Sequence, residues 1–183
     1  MSKIPPWLQQ ISSYQKKESK FSSSRYVQLS TIGIDSSPRV RTVVFRGWSD
    51  SYKMKIFTDN RSLKIKEINN NKNVEICWYF QKSRCQFRLR GLASKDFGND
   101  YFNSWNNLNE EAKFNWCGAT PGNKYIDDKN IVKSENKSSE FIDNFILLKV
   151  EIFHVDKLLL SKPNHFRMRW VLNNQWYEER INP

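Results

Sequence analysis

Cysteine is scarce in this 183-residue chain: Cys77, Cys85 and Cys117 are the only three, and none stands in a C-x-x-C spacing. A zinc knuckle is therefore excluded, and the odd number leaves one thiol over in any disulfide framework, so reduced packing residues are expected. Histidine is scarcer, at two. Neither His154 nor His165 has a serine, cysteine or carboxylate at a motif spacing, so no nucleophile triad and no metal set is expected. No apolar run approaches membrane-spanning length, and the opening MSKIPPWLQQ has no apolar signal core, which places the expected protein in the cytoplasm. There is no internal repeat and no break suggesting a second domain, so residues 1–183 read as one domain.

Acid is also short relative to base. Thirty Lys and Arg against nineteen Asp and Glu give a formal charge of +11. Such a surface attracts nucleic acid, anionic membranes and phosphorylated small molecules alike. The basic residues are spread along the chain rather than gathered in one run, so a dedicated nucleic-acid footprint is not expected. What the chain has in quantity is aromatic: seven Trp, seven Tyr and twelve Phe within a 38% hydrophobic composition, too much for a disordered chain and enough to fill a core.

Taken in order, Pro5–Pro6 opens a helix over about 5–18, whose stripe of Trp7, Leu8, Ile11 and Tyr14 is expected to pack outside a sheet. Arg25–Thr31 and Arg39–Arg46 alternate around the turn GIDSSP as a hairpin. Lys53–Thr58 reads as a strand broken at Asp59–Ser62. Leu63, Ile65 and Ile68 then form the apolar face of a short helix, with Lys64, Lys66 and Glu67 on its polar side. Val74–Phe80 is a nearly continuous apolar run that suits a buried strand. Arg84–Gly91 alternates cleanly, with Arg84, Gln86, Arg88 and Arg90 on one face. Asp100–Trp116 carries Tyr101, Trp105 and Leu108 at helical spacing, 118–140 reads as a long polar loop able to act as a lid, and alternating strands close the chain around Asn173–Asn174.

Two features point to an anion. Arg41 shares a strand face with Val43 and Phe45, where an arginine either runs its stem along the sheet into water or clamps a phosphate. Thr58, Ser62 and Lys64 gather at a helix start, where backbone N–H groups lack partners and an anion is favoured. The like charges along Arg84–Arg90 also suggest something negative close by.

With these stretches in order (PRVRTVVFRG, KIFTDNRSLK, RCQFRLRG), the chain resembles the pyridoxamine 5′-phosphate oxidase-like family of FMN-binding split barrels, nearest a branch common in cyanobacteria, from about Ser24 to Pro183. The resemblance implies a mainly β, antiparallel split barrel of six or more strands with peripheral helices, and a homodimer with FMN at its interface. It implies Arg41, Ser62 and Lys64 on the FMN phosphate, backbone contacts from Thr42, Val43 and Val44 along the isoalloxazine, and Phe57, Thr58 and Gln86 around it. Arg169 would arrive across the interface. On the substrate side it implies Arg46, Tyr101 and Arg167. Leu63 stands where the family has a second phosphate arginine, Trp105 where it has the arginine that grips substrate phosphate, and His165-x-Arg167 reverses its arginine-x-histidine pair. The expected activity is an FMN-dependent oxidation or reduction of a small molecule, the alternatives being a flavin or haem carrier or sensor, or a basic nucleic-acid-binding barrel.

Overall fold

A computed structural model describes residues 4–125 and 142–183. Eight strands form one antiparallel sheet: β1 (Tyr26–Ile32), β2 (Pro38–Trp48), β3 (Met54–Asp59), β4 (Asn73–Phe80), β5 (Cys85–Asp96), β6 (Phe145–Leu159), β7 (Phe166–Asn173) and β8 (Gln175–Ile181). Their order is β3-β2-β1-β4-β5-β6-β7-β8, and a further β3–β6 pairing closes the first six into a barrel. The 15-residue β6 makes the closure possible. Its first part pairs with β3 and its last part with β7, while β5 runs beside both. The β5–β6 register shifts at Arg90/Gly91, where a Cβ on Gly91 would stand 2.5 Å from the Glu151 carbonyl oxygen, so only glycine permits the approach.

Alternation decides what is inside. Val74, Ile76, Trp78 and Phe80 are buried, whereas Glu75 and Cys77 are half-buried and Tyr79 is exposed. The apolar run of β4 is therefore not a strand buried on both faces, because an antiparallel sheet of this kind keeps one face toward water. β6 begins the other way, with Phe145 to Leu148 buried on both faces, because a second aromatic cluster covers its outer side there.

The helices depart from expectation in two places. Helix α1 (Pro6–Lys17) does not merely rest on the barrel: Trp7 and Ile11 are each 1% exposed and belong to the barrel's own core with Phe45, Trp78 and Phe87. The single helix expected over 100–116 is broken into α3 (Asn99–Asn106), α4 (Glu110–Lys113) and a 3-10 turn at Phe114–Trp116. Asn109 causes the restart by accepting a hydrogen bond from the Ala112 N–H as an N-cap. Tyr101, Trp105 and Trp116 then enclose Phe145 and Leu147 in the second cluster, with Phe57 packed against it. The final hairpin turns on Asn174 alone, at φ +59°, rather than on both asparagines. Of the loop expected over 118–140, residues 118–125 are turns and irregular chain, and 126–140 lie outside the described residues. No helix among the described residues is long and apolar enough to cross a membrane.

Candidate functional site

β3 and helix α2 (Leu63–Asn70) meet at a tight turn. Within the turn Asp59 accepts the Arg61 N–H at 2.7 Å and pairs with its guanidinium at 2.7 Å. Arg61 also donates to the Gly118 and Trp116 carbonyls, so it ties the turn to the second cluster rather than joining the site. Ser62 occupies the N-cap position of α2 but does not cap it: its hydroxyl donates to the Asp59 carbonyl at 2.7 Å. The first turn of α2 thus has no side-chain cap and no acidic residue.

Lys64 fills the notch. Its Nζ donates to Thr58 Oγ1 at 3.0 Å and Ser62 Oγ at 3.1 Å. Among the described residues no carboxylate lies within ion-pairing distance of it. Burial lowers its pKa, Arg41 lowers it further, and Asp59 and Glu67 offset only part of this. A half-buried ammonium penalised in this way is one that an added anion would stabilise.

Arg41 lies nearby on β2, on the core-facing side as its spacing predicts. The structure supplies a third solution to the problem it posed. Helix α2 packs across β1, and the buried Glu67 carboxylate pairs with Arg41 Nη2 at 2.7 Å. Thr31 completes the knot, donating to Glu67 at 2.6 Å and accepting from Arg41 Nη1 at 2.5 Å. Neither Glu67 nor Thr31 carries a sequence signal: Glu67 reads as a solvated helix position, and only the packing of α2 on β1 buries it.

Beside this corner the outer faces of β2 and β3 form a shelf. Thr42 is exposed and Val44 half-buried, while Val43 turns into the core and offers only its backbone. Arg46 lies over the Phe57 ring at 5.0 Å. Its pKa is lowered by burial first and by Arg25 second.

Arg41, Thr58, Ser62 and Lys64 therefore come together, with Thr42, Val44, Arg46 and Phe57 alongside. The remaining predicted residues do not join them within one chain. Thr58 pairs with Ile146 of β6 but Gln86 pairs with Leu158, twelve positions further along. Arg169 sits opposite Asp156 and its guanidinium bonds Glu179 at 3.2 Å. Arg167 is committed to Asp156, donating from Nε at 3.0 Å and Nη2 at 2.8 Å. Tyr101 is buried and its hydroxyl donates to the Ile142 carbonyl at 2.9 Å.

The cationic face of β5 is likewise answered from within. Arg88 reaches Asp156 at 3.3 Å and Glu75 at 3.8 Å, and Arg90 reaches Glu75 at 3.3 Å. Burial alone would raise the Asp156 pKa, but its bond to Arg167 and the charges of Arg167 and Arg88 outweigh that and lower it. The negative partner that the arginine ladder called for is thus this chain's own pair of carboxylates. His154 stands beside the ladder with its pKa lowered by burial and by Arg90 and Arg169. No group of metal-ligating side chains exists among the described residues. All three cysteines are free thiols, Cys85 fully buried. A cavity of about 610 Å³ opens at the other end of β3 between Trp7, Tyr52, Lys53 and Trp176, and shares no residue with the Lys64 corner.

Comparison with known proteins points one way. The profile of the pyridoxamine 5′-phosphate oxidase FMN-binding domain matches residues 4–95. A pyridoxine/pyridoxamine 5′-phosphate oxidase 2 of Arabidopsis thaliana is 30% identical over 194 residues, covering 98% of each chain. A pyridoxine/pyridoxamine 5′-phosphate oxidase of Leptospira biflexa is 33% identical over 69 residues, 38% of this chain and 32% of its own. Among solved structures, a pyridoxamine 5′-phosphate oxidase-related, FMN binding protein of Nostoc punctiforme superposes with a TM-score of 0.89 at 30% identity over the whole of both chains. PhzG of Burkholderia lata, 14% identical, shares the fold with a TM-score of 0.81 over 98% of this chain and 95% of its own.

Proposed function

The chain belongs to the pyridoxamine 5′-phosphate oxidase FMN-binding family, and on that footing we propose that it is a homodimeric FMN-dependent oxidoreductase acting on a small molecule. The family's cofactor is FMN. The observation that carries the reading is Lys64: a half-buried cation at an uncapped helix start, held by two hydroxyls and with no carboxylate partner among the described residues. A phosphate monoester meets that need, because charge-assisted bonds from an ammonium and from first-turn N–H groups are strongest when they act on a concentrated anion.

In this reading Lys64, Ser62 and Thr58 hold the phosphate with Arg41 beside them. The β2 backbone at Thr42, Val43 and Val44 lines the isoalloxazine edge, and Phe57 flanks it. Gln86 and Arg169 then serve the site of a second copy of the chain, since their own β-strand register carries them away from Lys64. When bound, FMN supplies the hydride or electron chemistry; the chain supplies the seat, the orientation and the exclusion of water. No side chain here is asked to act as acid or base.

The substrate side supports less. Oxidation of a phosphorylated pyridoxamine, the activity named for the relatives, asks for a free basic clamp. Arg167 is bound to Asp156 and Tyr101 is buried, which leaves Arg46, exposed and lying over the Phe57 ring, as the one basic group of that set without a carboxylate partner among the described residues. FMN binding is thus better supported than that substrate. The test begins with colour: purified protein should carry a flavin that is released on denaturation and identified as FMN, should run as a dimer, and should be bleached by NAD(P)H or dithionite and reoxidised by a substrate. A colourless protein that neither quenches nor is stabilised by added FMN would refute the assignment. A flavin that is reduced chemically but never turns over would leave a carrier.

A further inference from the structure

A carboxylate next to a phosphate seat is a liability, because it repels the ligand and costs desolvation when buried. Glu67 is such a carboxylate, 6% exposed and 2.7 Å from Arg41. Its position makes sense if the arginine cannot be held correctly without it. Arg41 arises on the core-facing side of β2, where a long side chain left to itself would run out along the barrel end into water. Glu67 takes Nη2, and Thr31 accepts from Nη1 while donating to the same Glu67 oxygen, Oε2. Two of the guanidinium nitrogens are thereby pinned from one side, by residues of β1 and α2 rather than by ligand. The corner keeps a single net positive charge from Arg41, Lys64 and Glu67 together, and Leu63, 61% exposed, adds none.

We propose that Glu67, acting through Thr31, is a positioning residue that presets Arg41 for the phosphate group of the flavin nucleotide and so sets how strongly the protein prefers a phosphorylated flavin to the same flavin without phosphate. This rests on the assignment of the Lys64 corner as the FMN phosphate seat. The effect is specific to one part of the ligand, which separates it from a merely structural role: loss of fold would weaken every flavin, whereas loss of Arg41 alignment weakens only the phosphorylated one.

The measurement is the ratio of the riboflavin Kd to the FMN Kd, titrated by flavin fluorescence on the full chain freed of flavin, with melting temperature recorded for each variant. Glu67→Leu should lower the ratio about tenfold by weakening FMN with riboflavin unchanged. Glu67→Gln keeps an acceptor for Arg41 and Thr31 while removing the repelling charge, so its ratio should equal or exceed that of the parent. Thr31→Val, which preserves volume, should lower the ratio about threefold and carries the test if Glu67→Leu does not fold. Ratios within about twofold of the parent in both Glu67→Leu and Thr31→Val, or equal losses for both flavins, would overturn the proposal. Lys64→Ala separates the two levels: if it too leaves the ratio unchanged, the phosphate seat itself is misplaced, whereas if it collapses the ratio while the Glu67 and Thr31 variants do not, only the positioning role fails.

Discussion

Two basic regions of this molecule look alike in sequence and differ in kind. Along β5 and β7, Arg88, Arg90, Arg167 and Arg169 all find carboxylates: Glu75, Asp156 and Glu179. At the start of α2, Lys64 finds only hydroxyls among the described residues. A row of arginines is therefore a poor pointer to an anionic ligand, because antiparallel neighbours can supply the counter-charge across the ladder. A cation left unneutralised at a helix start is a better one, since burial and a neighbouring arginine both raise its cost and, among the described residues, Asp59 and Glu67 offset it only in part. The arginines of β5 and β7 are thus neutralised by this chain's own carboxylates, whereas Lys64 is held by hydroxyls alone among the described residues.

The sharpest way to break the contrast is at Asp156, which is 3% exposed and bonded by two arginines. Asp156→Ala should cost about 3 kcal/mol at most, since both arginines keep some access to water, read as a lower midpoint in denaturant. Its pH dependence has a definite sign. The folded pKa lies below the unfolded one, so the contribution is present above about pH 4 and is lost as pH falls through the folded value. Asp156→Asn should flatten the acid limb of stability below that pH, and an unchanged acid limb would mean the pairing contributes nothing.

At the other region Lys64→Ala should leave stability nearly untouched and weaken FMN by about 1.5–3 kcal/mol, at least tenfold in Kd. Equilibrium titration checks it, and an unaltered Kd would erase the distinction between the two regions. Adding charge should sharpen the distinction. Leu63→Arg places a guanidinium in the first turn of α2 and should tighten FMN by about 0.5–1 kcal/mol, with riboflavin unaffected. The smallest effect is expected at Arg90, 47% exposed and paired with Glu75 at 3.3 Å. Arg90→Ala should change stability by about 0.5 kcal/mol or less and leave FMN binding within error; a large loss of FMN would bring the ladder into the site after all.

Much of this arrangement was legible from local pattern. Period-two alternation located the strand around Arg41 and the terminal hairpin to within a residue or two, because a barrel wall must turn one face inward along its whole length, while the strand around Gln86 runs on to Asp96, five residues past its expected end at Gly91. The turn after Thr58 and the short helix carrying Lys64 were legible for the same reason, as breakers followed by a change of period. Misreadings fell where a second surface intervened. The run from Val74 to Phe80 suggested burial on both faces, but Tyr79 looks out. The helix around Tyr101 and Trp105 ended early because Asn109 offered a better cap than continued helix.

Residue types and their spacing, by themselves, determined a series of alternating strands with a cationic strand-to-helix corner, since alternation, breakers and helix-start chemistry are properties of neighbours in the chain; the antiparallel barrel was what the family resemblance implied. Only the tertiary structure decided which of the cations are spoken for. Glu67 meets Arg41 across 26 positions and Asp156 meets Arg88 across 68, and no local pattern records such pairings. The reason is physical: neutralisation depends on which side chains the closed sheet brings within about 4 Å of each other, where Coulomb attraction outweighs hydration.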